Sequence, residues 1–321
     1  VVAEPLSPIC GRGDLAPVVK RMLKFFDYIF VLRPVLMVPV WTILLLGHHQ
    51  GSRYGSSNRS LFWFFLFSTL FIGGVYLLNQ IYDLETDRKN KKLFFLSERY
   101  ISQKTAWTYT AILYFLSVVP SYSLSMTIGI IFTLGLILSF LYSAPSFSLK
   151  NRTNGGLLAN AIAHGSLVFL AGFCIRSDFS FRTVLFSLPY ALAVGAVYIN
   201  TTLPDIEGDK TIGKITFGVR YGILKSTLIS TSLVILSIVF ALIFLDLPFL
   251  FSAVLSLPFY IFALVTKEVS KSALATKSSI LFLSLAAGYF YPWYFVILIL
   301  GFLGTRLYYK ERFNLEYPGL F

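Results

Sequence analysis

Two stretches of this chain carry carboxylates at a spacing that can do chemistry. The first reads Asn79-Gln80-Ile81-Tyr82-Asp83-Leu84-Glu85-Thr86-Asp87, and the second Asp205-Ile206-Glu207-Gly208-Asp209-Lys210. A step of four residues along an α-helix advances a side chain by about 400°, so Asn79, Asp83 and Asp87 share one face within about 80°, and Glu85 points away from it. Asp205 and Asp209 repeat the spacing. Pro204 and Gly208 predict that a helix ends or loosens there, and Asn200 lies five residues upstream, within reach. Paired carboxylates joined by an amide oxygen are hard ligands. They suit Mg²⁺, which keeps several waters and shares itself with substrate phosphates. Asn79, Asp83, Asp87, Asp205 and Asp209 are therefore the predicted metal ligands, and the four aspartates the predicted catalytic residues. Lys150, Arg152, Lys210 and Lys214 follow in the adjoining segments and could neutralise a diphosphate bridged by metal. Any one of these cations taken singly is better explained as a charge that orients the chain in a membrane.

The elements that must position these groups are hydrophobic helices. The 321 residues are 56% hydrophobic and only 13% charged, with 32 Phe and 19 Tyr, where soluble domains average about 25% charged. Runs 61–80, 105–127 and 228–245 carry no charge, and each is near the ~20 residues that cross a bilayer as a helix. Spans are predicted at about 27–47, 61–83, 105–123, 125–143, 155–175, 183–204, 224–245 and 248–266. The last apolar stretch, about 274–305, is either one helix kinked at Pro292 or two passes parted near 289–293. The fold class is thus all-α, a polytopic transmembrane bundle of nine or ten helices. A carboxylate placed mid-membrane costs about 2.5–3.5 kcal/mol. Helix-end charges marking the water boundary explain one motif, but explain poorly two that each carry paired aspartates.

The net charge of +12 is read as membrane topology rather than nucleic-acid binding. With the N-terminal Lys20, Arg21 and Lys24 inside, Arg88, Lys89, Lys91, Lys92, Arg99, Lys104, Lys150, Arg152, Lys210, Lys214, Arg220 and Lys225 are also inside. Only Arg53, Arg59, Arg176 and Arg182 are then outside, as the positive-inside rule requires. Both acidic motifs fall on that cytoplasmic side. Cys10 and Cys174 are too far apart in sequence and setting to suggest a disulfide or a thiolate metal site. Residues 1–19 lack the pattern of a signal peptide. The chain divides into a polar segment 1–26, a membrane domain 27–310 and a short tail 311–321.

At these residues the chain resembles the UbiA superfamily of intramembrane prenyltransferases, whose pattern is NxxxDxxxD after the second helix and DxxxD after the sixth. Leu32-Arg33-Pro34, Tyr142-Ser143-Ala144-Pro145 with Lys150, and Glu207-Gly208-Asp209-Lys210 with Gly213-Lys214-Ile215-Thr216 extend the resemblance over about 27–310. Two positions depart from it. Phe94-Phe95 stands where many members carry Arg-Pro, and Phe217-Gly218 where many carry an aliphatic-Pro step. The resemblance implies a central cavity opening near the cytoplasmic face, Mg²⁺ as cofactor, an allylic prenyl diphosphate as donor and a hydrophobic or amphipathic acceptor, either an aromatic quinone precursor or a lipid. It implies that Arg33, Lys150, Asn200, Lys210 and Lys214 bind substrate, and that Tyr142 and Tyr198 turn aromatic faces to the allylic cation. A membrane terpene cyclase using the same donor is the alternative. A divalent-cation transporter fits less well, because the acids sit beside basic loops. Asn160 and His164, four residues apart, could touch the acceptor, although a helix–helix hydrogen bond explains them more simply.

Overall fold

The computed structural model describes residues 17–89 and 94–318. Cys10, Lys91 and Lys92 lie outside the described residues. Among the described residues there is no sheet, only an isolated parallel bridge between Arg152 and Ile215.

The first crossing is made of α1 (Pro17–Phe30), a 3₁₀ turn (Pro34–Met37) and α2 (Val38–Gly51). Pro34 disfavours the right-handed helical conformation at the residue before it. Arg33 accordingly adopts φ 59° and ψ 59°, which breaks the crossing. There follow α3 (Leu61–Lys89), α4 (Gln103–Leu124), α5 (Met126–Ser143), α6 (Thr153–Arg176), α7 (Phe181–Thr201), α8 (Phe217–Ile243), α9 (Leu247–Thr266), α10 (Val269–Phe290) and α11 (Pro292–Phe313). Nine of these crossings are long and apolar enough to span a bilayer. The helix α4, rich in Ser, Thr and Tyr, is not among the nine. At 22 residues it matches them in length and packs against α3 and α5, which makes ten long helices among the described residues. The stretch 274–305 is two helices. The break falls at Tyr291, with Pro292 opening α11, where its missing N–H costs nothing.

Small residues set how closely the helices approach. A Cβ on Gly47 or Gly51 of α2 would collide with the backbone of Phe169 or Phe173, and one on Gly172 with the Leu44 carbonyl. The faces of α2 and α6 therefore touch main chain to main chain, as membrane helices rich in small residues do. Gly73 and Gly74 of α3 likewise meet the side chains of Leu32 and Tyr114. The far end of α11 is fastened to α1: Arg312 donates from Nε and Nη2 to the two Asp27 carboxylate oxygens at 3.1 Å each, and Tyr308 donates to the same group. A fork-on-carboxylate pair has the geometry of the strong charge-assisted kind. Phe95, at the position that departs from the superfamily pattern, packs edge-on against Tyr309 and Phe313.

Inside α6 the chain widens into a π-turn, Ala161–Leu167. Its Gly165 lies against the backbone of Tyr190 and Ala191 on α7, where a Cβ would not fit.

Candidate functional site

The first motif forms the last turns of α3. Glu85 is exposed, Asp83 half-buried and Asp87 buried, so the helical-face reading of the spacing holds. Lys150 lies across from this face. Its ammonium is 2.7 Å from Asp83 Oδ1 and donates to Asn79 Oδ1 at 3.1 Å. Ser143, the last residue of α5, donates to the same Asn79 oxygen at 3.4 Å. Asp87, beyond the membrane-spanning part of α3, is pushed up to about 7 by burial and by the charge of Asp83; Arg33, Lys214 and Lys150 pull the other way. Burial lowers Lys150 and the Asp83 carboxylate opposes it. The sequence spacing between these residues is large, and the fold brings Arg33, Asp83, Asp87, Lys150 and Lys214 within electrostatic range of one another.

The second motif is built differently from a helix end. α7 stops at Thr201. Thr202 turns its hydroxyl onto the Ile199 carbonyl at 2.7 Å and receives the Gly218 N–H at 2.9 Å. Pro204 then separates α7 from a short helix, Ile206–Thr211, with Asp205 at its N-cap position. The Asp209 N–H donates to the Asp205 carbonyl at 2.8 Å, so the two aspartates keep their one-turn relation on this separate element. Gly213, at φ 74°, reverses the chain as only glycine does freely. Lys214 N–H then returns to the Asp209 carbonyl at 3.0 Å, and Thr216 donates its hydroxyl to Asp209 Oδ2 at 3.0 Å.

A strap joins the two halves. Residues 148–153, between α5 and α6, run beside 213–216. Ile215 N–H donates to the Asn151 carbonyl at 3.2 Å, and Thr153 Oγ1 donates to the Ile215 carbonyl at 2.8 Å. Ser148 takes the left-handed conformation, φ 44°, to start it. Lys150, which holds the first motif, and Lys214, which follows the second, thus sit on paired segments. The contacts of Thr153, of Thr216 with Asp209 and of Ser143 with Asn79, and this pairing, were not foreseen from sequence. The β-branched Ile215-Thr216 after Gly213 is the local trace of it, too short to read as a strand.

Between α2, α3, α5 and α6 lies a cavity of about 220 Å³. Arg33, Asn79 and Tyr142 line its motif end, and Val40, Leu44, Phe71, Ile72 and Phe132 are among its apolar walls. Tyr142 and Asn160 are neighbours in its lining. The side chains of Arg33 and Lys214 make no hydrogen bond or ion pair with any described residue. Tyr198 is buried with its hydroxyl on the bare face of Gly156. Asn200 is buried and donates to the Ser272 carbonyl at 3.4 Å, and its Oδ1 has no partner. Lys210 is exposed and pairs with Glu207 at 3.3 Å. Asn160 and His164 both line the cavity, and Asn160 donates to its own helix at Gly156 O, 2.9 Å.

The donor set is all oxygen on both motifs, which suits a hard divalent cation. Among the described residues no group of three or more His, Cys, Asp or Glu side chains is gathered at ligating distance. Asp83 is held by Lys150 instead. The residues fit such an ion by chemistry, with Asp83 and Asp87 on one face and the unpartnered Asn200 oxygen behind the other motif.

The described residues form a polytopic bundle of apolar helices in which Asp83 of the first motif and Asp209 of the second both act electrostatically on Tyr142, a residue of the cavity wall. The UbiA prenyltransferase family profile matches residues 36–279, and the chain belongs to that family. It is 29% identical over 210 residues to the digeranylgeranylglyceryl phosphate synthase of Methanosphaera stadtmanae, covering 65% of this chain and 74% of that one. It is 26% identical over 222 residues to the 1,4-dihydroxy-2-naphthoate octaprenyltransferase of Bacillus subtilis, covering 66% and 70%. The fold is that of a UbiA homolog from Archaeoglobus fulgidus bound to GPP and Mg²⁺, at TM-score 0.63 and 18% identity, covering 85% of this chain and 99% of that one.

Proposed function

We propose that this enzyme moves the prenyl group of an allylic prenyl diphosphate onto a hydrophobic or amphipathic acceptor, with Mg²⁺ as cofactor, at the cytoplasmic rim of the membrane. The observation that carries the reading is the convergence of Asn79, Asp83 and Asp87 with Arg33, Lys150 and Lys214 at the mouth of an apolar cavity. The excess of Lys and Arg in the loops on the motif side supports the cytoplasmic placement. Asn79, Asp83, Asp87, Asp205 and Asp209 would hold Mg²⁺, which when bound draws off the charge that develops on the departing diphosphate.

This chain's own residues supply the rest. Arg33 and Lys214, free of other partners, donate to diphosphate oxygens, and Lys150 shares its charge between Asp83 and the diphosphate. Lys210 adds charge from the exposed side, and Asn200 accepts from a bound water through its free oxygen. The C–O bond breaks with the allylic cation left beside Tyr142 and Tyr198, whose ring faces attract it. The apolar walls keep out the water that would quench it. Those same walls offer a metal ion no path across the membrane, which speaks against transport. The test incubates purified protein in lipid nanodiscs with geranyl diphosphate, Mg²⁺ and a panel of aromatic and lipid acceptors, with products read by mass spectrometry. An acceptor-dependent prenylated product is expected. Cyclised hydrocarbon formed without acceptor would replace transfer by cyclisation.

A further inference from the structure

One polar side chain in the cavity wall is left unexplained by the diphosphate site. His164 lies in the π-turn of α6 and lines the cavity with Asn160, Ala163 and Leu167. No described residue hydrogen-bonds its ring. Asn160, by contrast, donates to the Gly156 carbonyl of its own helix. The helix–helix hydrogen bond expected of His164 is therefore not made. The π-turn itself explains how the ring reaches the cavity. The wider turn presses Gly165 onto the α7 backbone, where no Cβ fits, and the preceding residue, about a quarter turn around the helix, faces the cavity. π-turns inside α-helices occur often at functional sites.

A neutral imidazole carries one donor and one acceptor, and leaving both unmatched in an apolar wall is costly. The hydrocarbon tail of a prenyl donor has no group to match them, and its diphosphate is held at the rim, near Thr153, about three turns of helix away from His164 along α6. The second substrate must supply the partner.

We propose that His164, together with Asn160, is a specificity-determining residue that hydrogen-bonds a neutral hydroxyl or carbonyl on the head of the acceptor inside the cavity. This rests on the prenyl-transfer reading above and narrows it. The acceptor is a phenol- or quinol-type ring that enters the cavity, and not a glycerol phosphate, whose charge would stay with the lysines at the rim. His164 acts by positioning the ring hydroxyl so that the nucleophilic carbon or oxygen meets the allylic carbon. The departing proton leaves with the solvent-facing diphosphate.

The experiment compares the unaltered protein with His164→Leu and His164→Gln in nanodiscs. Donor binding is measured with geranyl diphosphate and Mg²⁺. Transfer is measured to alkyl-substituted hydroquinones, to their dimethyl ethers and to a glycerol phosphate. The expected result is transfer to hydroquinones, with kcat/KM lowered about tenfold in His164→Leu, mostly through KM, and substantially restored in His164→Gln. Geranyl diphosphate affinity should be the same in all three proteins, which also shows that the variants are folded. Equal use of hydroquinone by His164→Leu and the unaltered protein, or transfer to glycerol phosphate alone, overturns the proposal and leaves prenyl transfer intact. Absence of any Mg²⁺-dependent donor binding by the unaltered protein overturns both.

Discussion

At the scale of single residues, the site is organised by which face of α3 a carboxylate occupies. Asp83 and Asp87 turn inward and Glu85 outward. Asp83→Ala, Asp87→Ala and Asp209→Ala should each lower kcat/KM by about 100-fold or more, the scale of losing a group that stabilises transition-state charge. Glu85→Ala, an exposed change, should alter stability by no more than about 0.5 kcal/mol and leave turnover nearly intact. Steady-state kinetics on the four variants checks this, and equal damage from Glu85→Ala would refute the face argument. The lysines divide in the same way. Lys150 and its partner Asp83 have side chains only 10% and 16% exposed, so Lys150→Gln strands a buried carboxylate and should cost stability on the order of 3 kcal/mol as well as activity. Lys214, without an ion-pair partner of its own, should lose diphosphate affinity and kcat on Lys214→Gln with little loss of stability. Lys267, exposed on the turn after α9, should tolerate Lys267→Gln in both respects. Thermal unfolding in detergent and single-turnover rates separate the three outcomes.

At the scale of elements, much was legible because hydrophobic runs and the four-residue repeat are local signals. The spans 61–83 and 125–143 and the pairing of Asn79 with Asp83 and Asp87 follow from periodicity alone. What was not legible depends on contacts between distant segments. The strap of 148–153 on 213–216 is one parallel bridge and two hydrogen bonds, with no run long enough to show a strand period. The stop of α7 at Thr201 depends on Thr202 folding onto its own helix and receiving Gly218 from α8. The π-turn of α6 has no hydrophobic period at all. Ser148 and Arg33, both left-handed without being glycine, are held so by their surroundings. Such strain of about 1–2 kcal/mol per residue is tolerated where it aims a side chain. Thr153→Val removes the strap's side-chain bond while keeping its shape. It should lower Mg²⁺-dependent activity while leaving the thermal midpoint within a few degrees, because the bundle does not rest on this bond. Gly172→Leu should do the reverse. Its side chain would enter the Leu44 carbonyl, so loss of folded protein on size-exclusion chromatography is expected, rather than a specific loss of kcat.

At the scale of the whole molecule, four of the ten long helices among the described residues, α2, α3, α5 and α6, line an apolar cavity with Arg33 at its motif end. The closing helix α11 is fastened to α1 by the Asp27–Arg312 fork, so both ends of the described chain meet on the motif side. Nothing in the hydropathy of 274–305 decided between one pass and two. Tyr291-Pro292 decided it, together with the basic residues of α11, which belong on the side of Asp27. All of this architecture brings two aspartate motifs, more than a hundred residues apart in sequence, within electrostatic range of the same Tyr142 side chain. The direct measurement is the equilibrium binding of geranyl diphosphate to the unaltered protein, to Asp83→Ala, to Asp209→Ala and to the double variant, with and without Mg²⁺. If the motifs form one site, binding to the unaltered protein requires Mg²⁺, either single substitution removes most of it, and the double variant loses little more than each single one. Mg²⁺-dependent binding that survives in either single variant at the affinity of the unaltered protein would contradict a shared site.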